Sequence, residues 1–210
     1  MTHAMGIGME AVSREEFDRL EEYFRSRGSA CLIDLCPMAD ESVISEVMSR
    51  GYQIIEFNNL MLRRLTDADI LSGADGVTVV GEDRREQWCR VVMQGFSGLQ
   101  EVSEEEVATM MALPTMGTIL LAELNGSTVG GAAMGLQQGI ALLYGDATLV
   151  AARGQGTQQA LIRRRLSMAR EAGCEWAMAT VIPGSGSHRN YERCGFELFY
   201  MRVNVKREWA

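Results

Sequence analysis

Apolar residues first fall into a helical rhythm at Phe17, Leu20, Tyr23 and Phe24. Ser13 with Glu16 ahead of them forms a capping box, and Gly28 follows as a stop. The spacing therefore predicts a helix, and the run Ala30–Leu35 predicts a short buried strand after it. Asp40 begins a second helical stripe carrying Val43, Ile44, Val47 and Met48, with Gly51 beyond its end. Tyr52–Leu62 reads as a further strand. The polar stretch from Thr66 to Gly76 reads as a linker.

Beyond it, Val77–Val80 is a strand, and Asp83–Phe96 is a helix with Trp88, Val91 and Val92 on one face. Ser103 and Glu106 form a second capping box before Val107, Met110 and Met111. Ile119–Leu124 and Thr128–Met134 flank Asn125-Gly126, a strong hairpin turn signal, and Ile140–Val150 continues as a third strand. A helix over Thr157–Glu171, a strand over Trp176–Val181, a helix around Ser187–Cys194 and strands from Phe196 complete the chain. This order predicts an α+β layered fold.

The two ends of the chain repeat one another. Arg50-Gly51-Tyr52 recurs as Cys194-Gly195-Phe196, with the glycines 144 positions apart. Arg27-Gly28 pairs with Ala172-Gly173 at an offset of 145, and Cys36-Pro37 with Ile182-Pro183 at 146. Three landmarks near one offset predict a duplicated helix–strand–helix–strand unit.

Composition narrows the function classes. Basic residues are scattered and outnumbered, and the net charge is −8, which argues against a nucleic-acid partner. No apolar run is long enough to span a bilayer, and the start lacks the pattern of a signal peptide. The five cysteines are widely spaced and odd in number, and there are only two histidines. Reduced thiols in the cytoplasm and no metal site are expected.

Candidate chemistry centres on Arg153-Gly154-Gln155-Gly156-Thr157, between a strand and a helix. Two glycines there can turn the chain tightly and aim backbone N–H groups, with the helix dipole, at an anion such as a pyrophosphate. A tight turn with no ligand is the alternative reading of the loop alone. Ala147–Ile162 resembles the acetyl-CoA-binding motif of the GNAT superfamily, Gln/Arg-x-x-Gly-x-Gly/Ala. Arg153 and Gly156 match its first two fixed positions, and Gln158 departs from the third, where a small residue is usual. Tyr191-Glu192-Arg193-Cys194-Gly195-Phe196 is similar to the family's Tyr-x-x-x-Gly-Phe. The likeness covers roughly residues 77 to 207.

The resemblance implies a GNAT-type mixed central sheet flanked by helices, preceded by a partial GNAT-like repeat. Residues 1–66 would be a truncated unit lacking the phosphate loop, and 67–210 the acetyl-CoA-binding domain. The first copy would pack against the second and shape an acceptor cleft. In the family the two central strands splay. Carried over, Leu149 and Val150 would offer main-chain groups to pantetheine, and Arg153, Gly154, Gln155, Gly156, Thr157 and Gln158 would cradle the phosphates, with Asn190 in reach of the cofactor. Tyr191 sits where relatives carry the general acid that protonates the leaving thiolate. Asp146 is the best-placed carboxylate for the general base, while Glu123, beside the hairpin turn, is expected at the surface. The implied activity is transfer of an acetyl group from acetyl-CoA to a primary amine of a small acceptor. The alternative is an acyl-CoA-binding sensor without turnover, and a purely structural role is the third reading. A homodimer is compatible with all three. Arg163-Arg164-Arg165 is expected to form a solvated face, His188 to be exposed, Ser187 to cap its helix, and Met110, Met111 and Met116 to pack in the core.

Overall fold

In a computed structural model, residues 3–70, 76–99, 101–113 and 117–209 are described. Part of the expected linker and Met116 lie outside them. The chain divides into two compact units, one of Met1–Leu60, Val181–Pro183 and Leu198–Ala210, the other of Met61–Thr180 and Gly184–Glu197.

The first unit contains β1 (Ala4–Met5), α1 (Arg14–Arg25), β2 (Cys31–Leu35), α2 (Glu41–Ser49) and the start of β3 (Gln53–Arg64). The capping box at Ser13 and Glu16 forms as the sequence dictates, and Asp40 caps α2. β1 runs parallel to β2, and the C-terminal strand β9 (Glu197–Arg207) pairs antiparallel with β2 from Cys31↔Arg207 to Leu35↔Val203. The chain thus returns to its N-terminal segment, so the units do not part at a single point. Phe17, Phe24, Cys31, Ile33, Val43, Val47 and Val205 form its core. Fully burying a side chain such as Phe17 contributes about 1.5–3 kcal/mol. Glu21 is buried on α1 and is neutralised there by Arg50 and Arg207, with the Tyr52 hydroxyl donating to it at 3.0 Å. Three residues of the apolar stripes, Tyr23, Ile44 and Met48, stay exposed.

The second unit follows the order β4 (Val77–Val80), α3 (Arg85–Ser97), α4 (Glu104–Ala112), β5 (Thr118–Leu124), β6 (Ser127–Gln137), β7 (Ile140–Thr148), α5 (Thr157–Glu171), β8 (Trp176–Val181) and α6 (Gly186–Arg193). Its strands lie in the order β8-β7-β6-β5-β4. β7 and β8 are parallel, and the other neighbours are antiparallel. Side chains alternate across this sheet. Ile119, Leu121 and Ala133 join Trp88, Cys89, Val92 and Val107 under α3 and α4, while Leu120, Ala122 and Ala132 meet Leu161 of α5. The sheet is therefore mixed and helix-covered on both faces, the α+β class expected. A single strand, β9, ends the chain where several were expected, and the short β1 had no signal in the pattern.

Candidate functional site

After β7 the chain makes a 3-10 turn at Val150–Ala152 and reaches Arg153. Gly154 and Gly156 follow with φ of 77° and 82°, values a side chain strains to adopt. Gly156 is the N-cap of α5, where no side chain accepts from the first-turn amides and no first-turn residue is acidic. The helices α1 and α4 differ, because Ser13–Glu16 and Ser103–Glu106 close their N-termini with the chain's own oxygens. An uncapped helix start with its partial positive charge suits an anion.

The loop is fixed from behind. Arg153 donates to the carbonyls of Gly95 (2.8 Å) and Thr148 (3.3 Å), so its guanidinium braces the end of α3 and β7. The Leu149 N–H donates to the carbonyl of Val129 at 2.9 Å, and the carbonyls of Leu149 and Val150 accept from Ala152 and Arg153 within the turn. The Gln155 amide reaches back to the carbonyl of Ala151 at 3.3 Å. Thr157 is buried at the helix start.

Parallel pairing of β7 with β8 runs from Ile140↔Trp176 to Leu143↔Ala179, while β7 itself continues to Thr148. Between Tyr144 and Ala147 the register with β6 shifts, and Gly145 has φ of 66°. This bulge re-aims the next side chain, Asp146. A glycine inside a strand pattern was the local signal for it. At the strand's end the Thr148 hydroxyl is buried without a hydrogen-bond partner.

Asp146, on β7, meets two helix-borne groups. Arg165, on α5, is fully buried, and both of its terminal nitrogens contact the Asp146 carboxylate. It also donates to the carbonyls of Leu161 (3.0 Å), Ala133 (3.0 Å) and Tyr144 (3.4 Å). The Tyr191 hydroxyl, on α6, donates to Asp146 Oδ2 at 2.5 Å, and its ring stands edge-on to Phe196 at 4.9 Å. Tyr191 is 1% exposed. Burial and the Asp146 charge push its phenol well above the usual range, against a smaller downward pull from Arg165. Burial opposes the Arg165 charge, but Asp146 and Tyr191 outweigh it, so the guanidinium pKa is raised. The expected residues Tyr191 and Asp146 are thus brought together, through an arginine that the sequence pattern placed on a solvated face. That expectation is corrected: Arg163 is exposed, but Arg165 turns inward, where strand carbonyls and Asp146 satisfy its donors.

Gln158 points at α6. Its amide donates to the Ser187 hydroxyl at 2.9 Å and accepts from Asn190 at 2.7 Å, and Gln159 donates to Asn190 at 3.3 Å. Ser185, rather than Ser187, caps α6 by accepting from the His188 amide. His188 is not an exposed ring, since its side chain is 18% exposed and Nδ1 accepts from the Gly184 amide. Glu123 lies at the surface and pairs with Arg84. Met110 and Met111 pack partly buried against the core of α3 and α4. The five cysteines are buried free thiols. Among the described residues no group of three or more His, Cys, Asp or Glu side chains is placed to hold a metal ion, and no helix is long and apolar enough to cross a membrane.

The acetyltransferase (GNAT) family matches residues 85–196, from the start of α3 to the phenylalanine after α6. The chain belongs to this family. No curated protein sequence matches it. Among solved structures, the GCN5-related N-acetyltransferase from Kribbella flavida is similar at a TM-score of 0.68 and 20% identity, covering 93% of this chain and 75% of that one. The GCN5-related N-acetyltransferase from Sphaerobacter thermophilus gives 0.64 and 17%, covering 92% and 67%. A tandem GNAT protein from the clavulanic acid biosynthesis pathway gives 0.62 and 15%, covering 93% and 69%. At these identities the likeness is one of fold.

Proposed function

We propose that this GNAT-family protein binds acetyl-CoA at Arg153–Gln158 and transfers the acetyl group to a primary amine of a small acceptor. The observation that carries the reading is the uncapped start of α5 behind two left-handed glycines, at the end of a strand that outruns its pairing with β8. Backbone amides of residues 155–158 would hold the pyrophosphate, the end of β7 through Leu149 and Val150 would run beside pantetheine, and Asn190 would lie at the cofactor's edge. Gln158 is compatible with this because its side chain is held by α6 through Ser187 and Asn190. Tyr191 is the proposed donor to the leaving thiolate. Burial and the Asp146 charge raise its pKa, and the phenol carries its proton at neutral pH. Asp146 is the proposed proton acceptor.

Residues 67–210 are proposed as the cofactor-binding domain and residues 1–66 as a truncated, degenerate copy. Support comes from the shared order helix, strand, helix, strand in α1–β2–α2–β3 and α5–β8–α6–β9. The α1 start is closed by Ser13 and Glu16, whose negative charge repels phosphate, so one CoA per chain is expected.

A second reading, an acyl-CoA sensor without turnover, is favoured by one observation: Asp146 is already engaged by Arg165 and Tyr191. Calorimetry with acetyl-CoA and a thiol-release assay over a panel of amines separate the two. Binding with amine-dependent release supports the enzyme, binding with no release supports the sensor, and no binding at millimolar cofactor removes both.

A further inference from the structure

Six large apolar side chains of the first unit stay exposed on one side of its sheet. They are Ile44 and Met48 of α2, Ile55 and Phe57 of β3, and Phe199 and Met201 of β9. Strand alternation gives four of them a common face. On β9, Val203 and Val205 turn toward the core under α1 and α2, so Phe199 and Met201 project from that same face. Asn204 points the other way, where its amide donates to Glu56 Oε2 at 3.2 Å, and Asn58 donates to the same oxygen at 2.6 Å. Glu56 and Asn58 of β3 therefore share the opposite face with Asn204, which leaves Ile55 and Phe57 on the core face. β3 and β9 are neighbours in the sheet.

The helix α2 extends this surface. Val43 and Val47 face the sheet, and Arg50, joined to Glu46, donates to Asp18 and Glu21 of α1. The flank of Glu46 and Arg50 thus faces α1. At 3.6 residues per turn, Ile44 and Met48 lie on the opposite flank, where the sheet continues through β9 to β3.

We infer that a second copy of this chain covers the six side chains in a twofold dimer. With side chains of about 200 Å² each, their exposed fractions amount to roughly 600 Å² of apolar area. Monomeric proteins rarely leave a contiguous apolar patch of that size in water. A standard interface buries about 800 Å² per partner, somewhat over half of it apolar and ringed by a polar rim. The patch therefore has the size that a stable dimer needs. Its layout also suits a copy of itself. Ile55 and Phe57 stand four and six positions beyond Gly51, and Phe199 and Met201 stand four and six beyond Gly195. Adjacent strands thus present apolar side chains at matching positions, and a twofold contact requires a surface that meets itself. None of the six is charged, so two chains of net charge −8 can meet there without like charges at the centre. The same negative charge disfavours an anionic lipid surface.

Sedimentation equilibrium of the full chain across the micromolar range tests the dimer. The wild-type protein is expected at twice the mass of the chain. Phe57→Glu with Met201→Glu places like charges at the contact and should raise the dissociation constant at least about 100-fold. Ile54→Glu, at an exposed site on the other face of β3, should leave it within about threefold. Circular dichroism checks the folding of each. If the double variant does not fold, Met48→Glu on the exposed flank of α2 replaces it under the same criteria, with a loss of at least about tenfold. A wild-type monomer throughout the range, a dimer that the double variant leaves intact, or one that Ile54→Glu breaks as strongly overturns the proposal. A wild-type monomer that floats with phosphatidylcholine vesicles assigns the patch to a lipid surface and overturns it too.

Discussion

The backbone of Gly95 in α3 lies directly on Ala147 in β7: a Cβ at Gly95 would come within 2.7 Å of the Ala147 Cβ and 3.0 Å of the Thr148 nitrogen. Only a residue without a side chain lets the helix approach the end of the strand this closely. Arg153 then locks the contact by donating to the Gly95 carbonyl. The position of the glycine loop therefore depends on a glycine more than fifty residues upstream.

Gly95→Ala should destabilise the protein by about 1–3 kcal/mol, the usual cost of overpacking. It should also weaken acetyl-CoA binding, because β7 must shift where the loop begins. Urea denaturation and calorimetry check the two effects. Unchanged stability would show that α3 and β7 can separate freely.

Gln158→Ala should behave differently. It removes two hydrogen bonds to α6, and about 1 kcal/mol of stability should go with them. Acetyl-CoA affinity should stay within threefold, since the proposed donors at this point are backbone amides. A tenfold loss of affinity with stability intact would instead place the Gln158 side chain on the cofactor.

The capping carboxylates give a pH dependence of known sign. Hydrogen bonds from the Ser103 backbone and hydroxyl hold Glu106 below the usual carboxyl value of 4.5, and Ser13 does the same for Glu16. A carboxyl lowered on folding contributes stability that is fully present above its unfolded value, about 4.5, and is lost as pH falls through the lower folded value. Glu106→Ala should therefore lower the urea midpoint at pH 7, and the gap from wild type should narrow at pH 3. A gap of equal size at both pH values would mean that the ionised cap contributes nothing.

Much of the fold was legible because its signals are local. The capping boxes at Ser13 and Ser103, the Asn125-Gly126 turn and the alternation of Ile119 to Ala122 each depend on a few adjacent residues. The glycine loop was legible for the same reason. Arg165 was not, since three successive arginines look alike in sequence. Its burial depends on carbonyls of Ala133 and Tyr144 from two strands and on Asp146, all distant along the chain. The contact of Tyr191 with Asp146 was hidden likewise, because a bulge reverses simple alternation along β7. Ile44 and Met48 failed in the opposite sense: the helix they suit exists, but its buried face is set by Val43 and Val47.

The amides at the start of α5 are proposed to hold the pyrophosphate of acetyl-CoA. Titrating acetyl-CoA into isotope-labelled protein while following backbone amide resonances tests it most directly. Saturable shifts are expected at one cofactor per chain, largest for Gly154 to Gln158 and absent from Val12 to Glu16. Unmoved Gly154–Gln158 resonances at millimolar acetyl-CoA would contradict it.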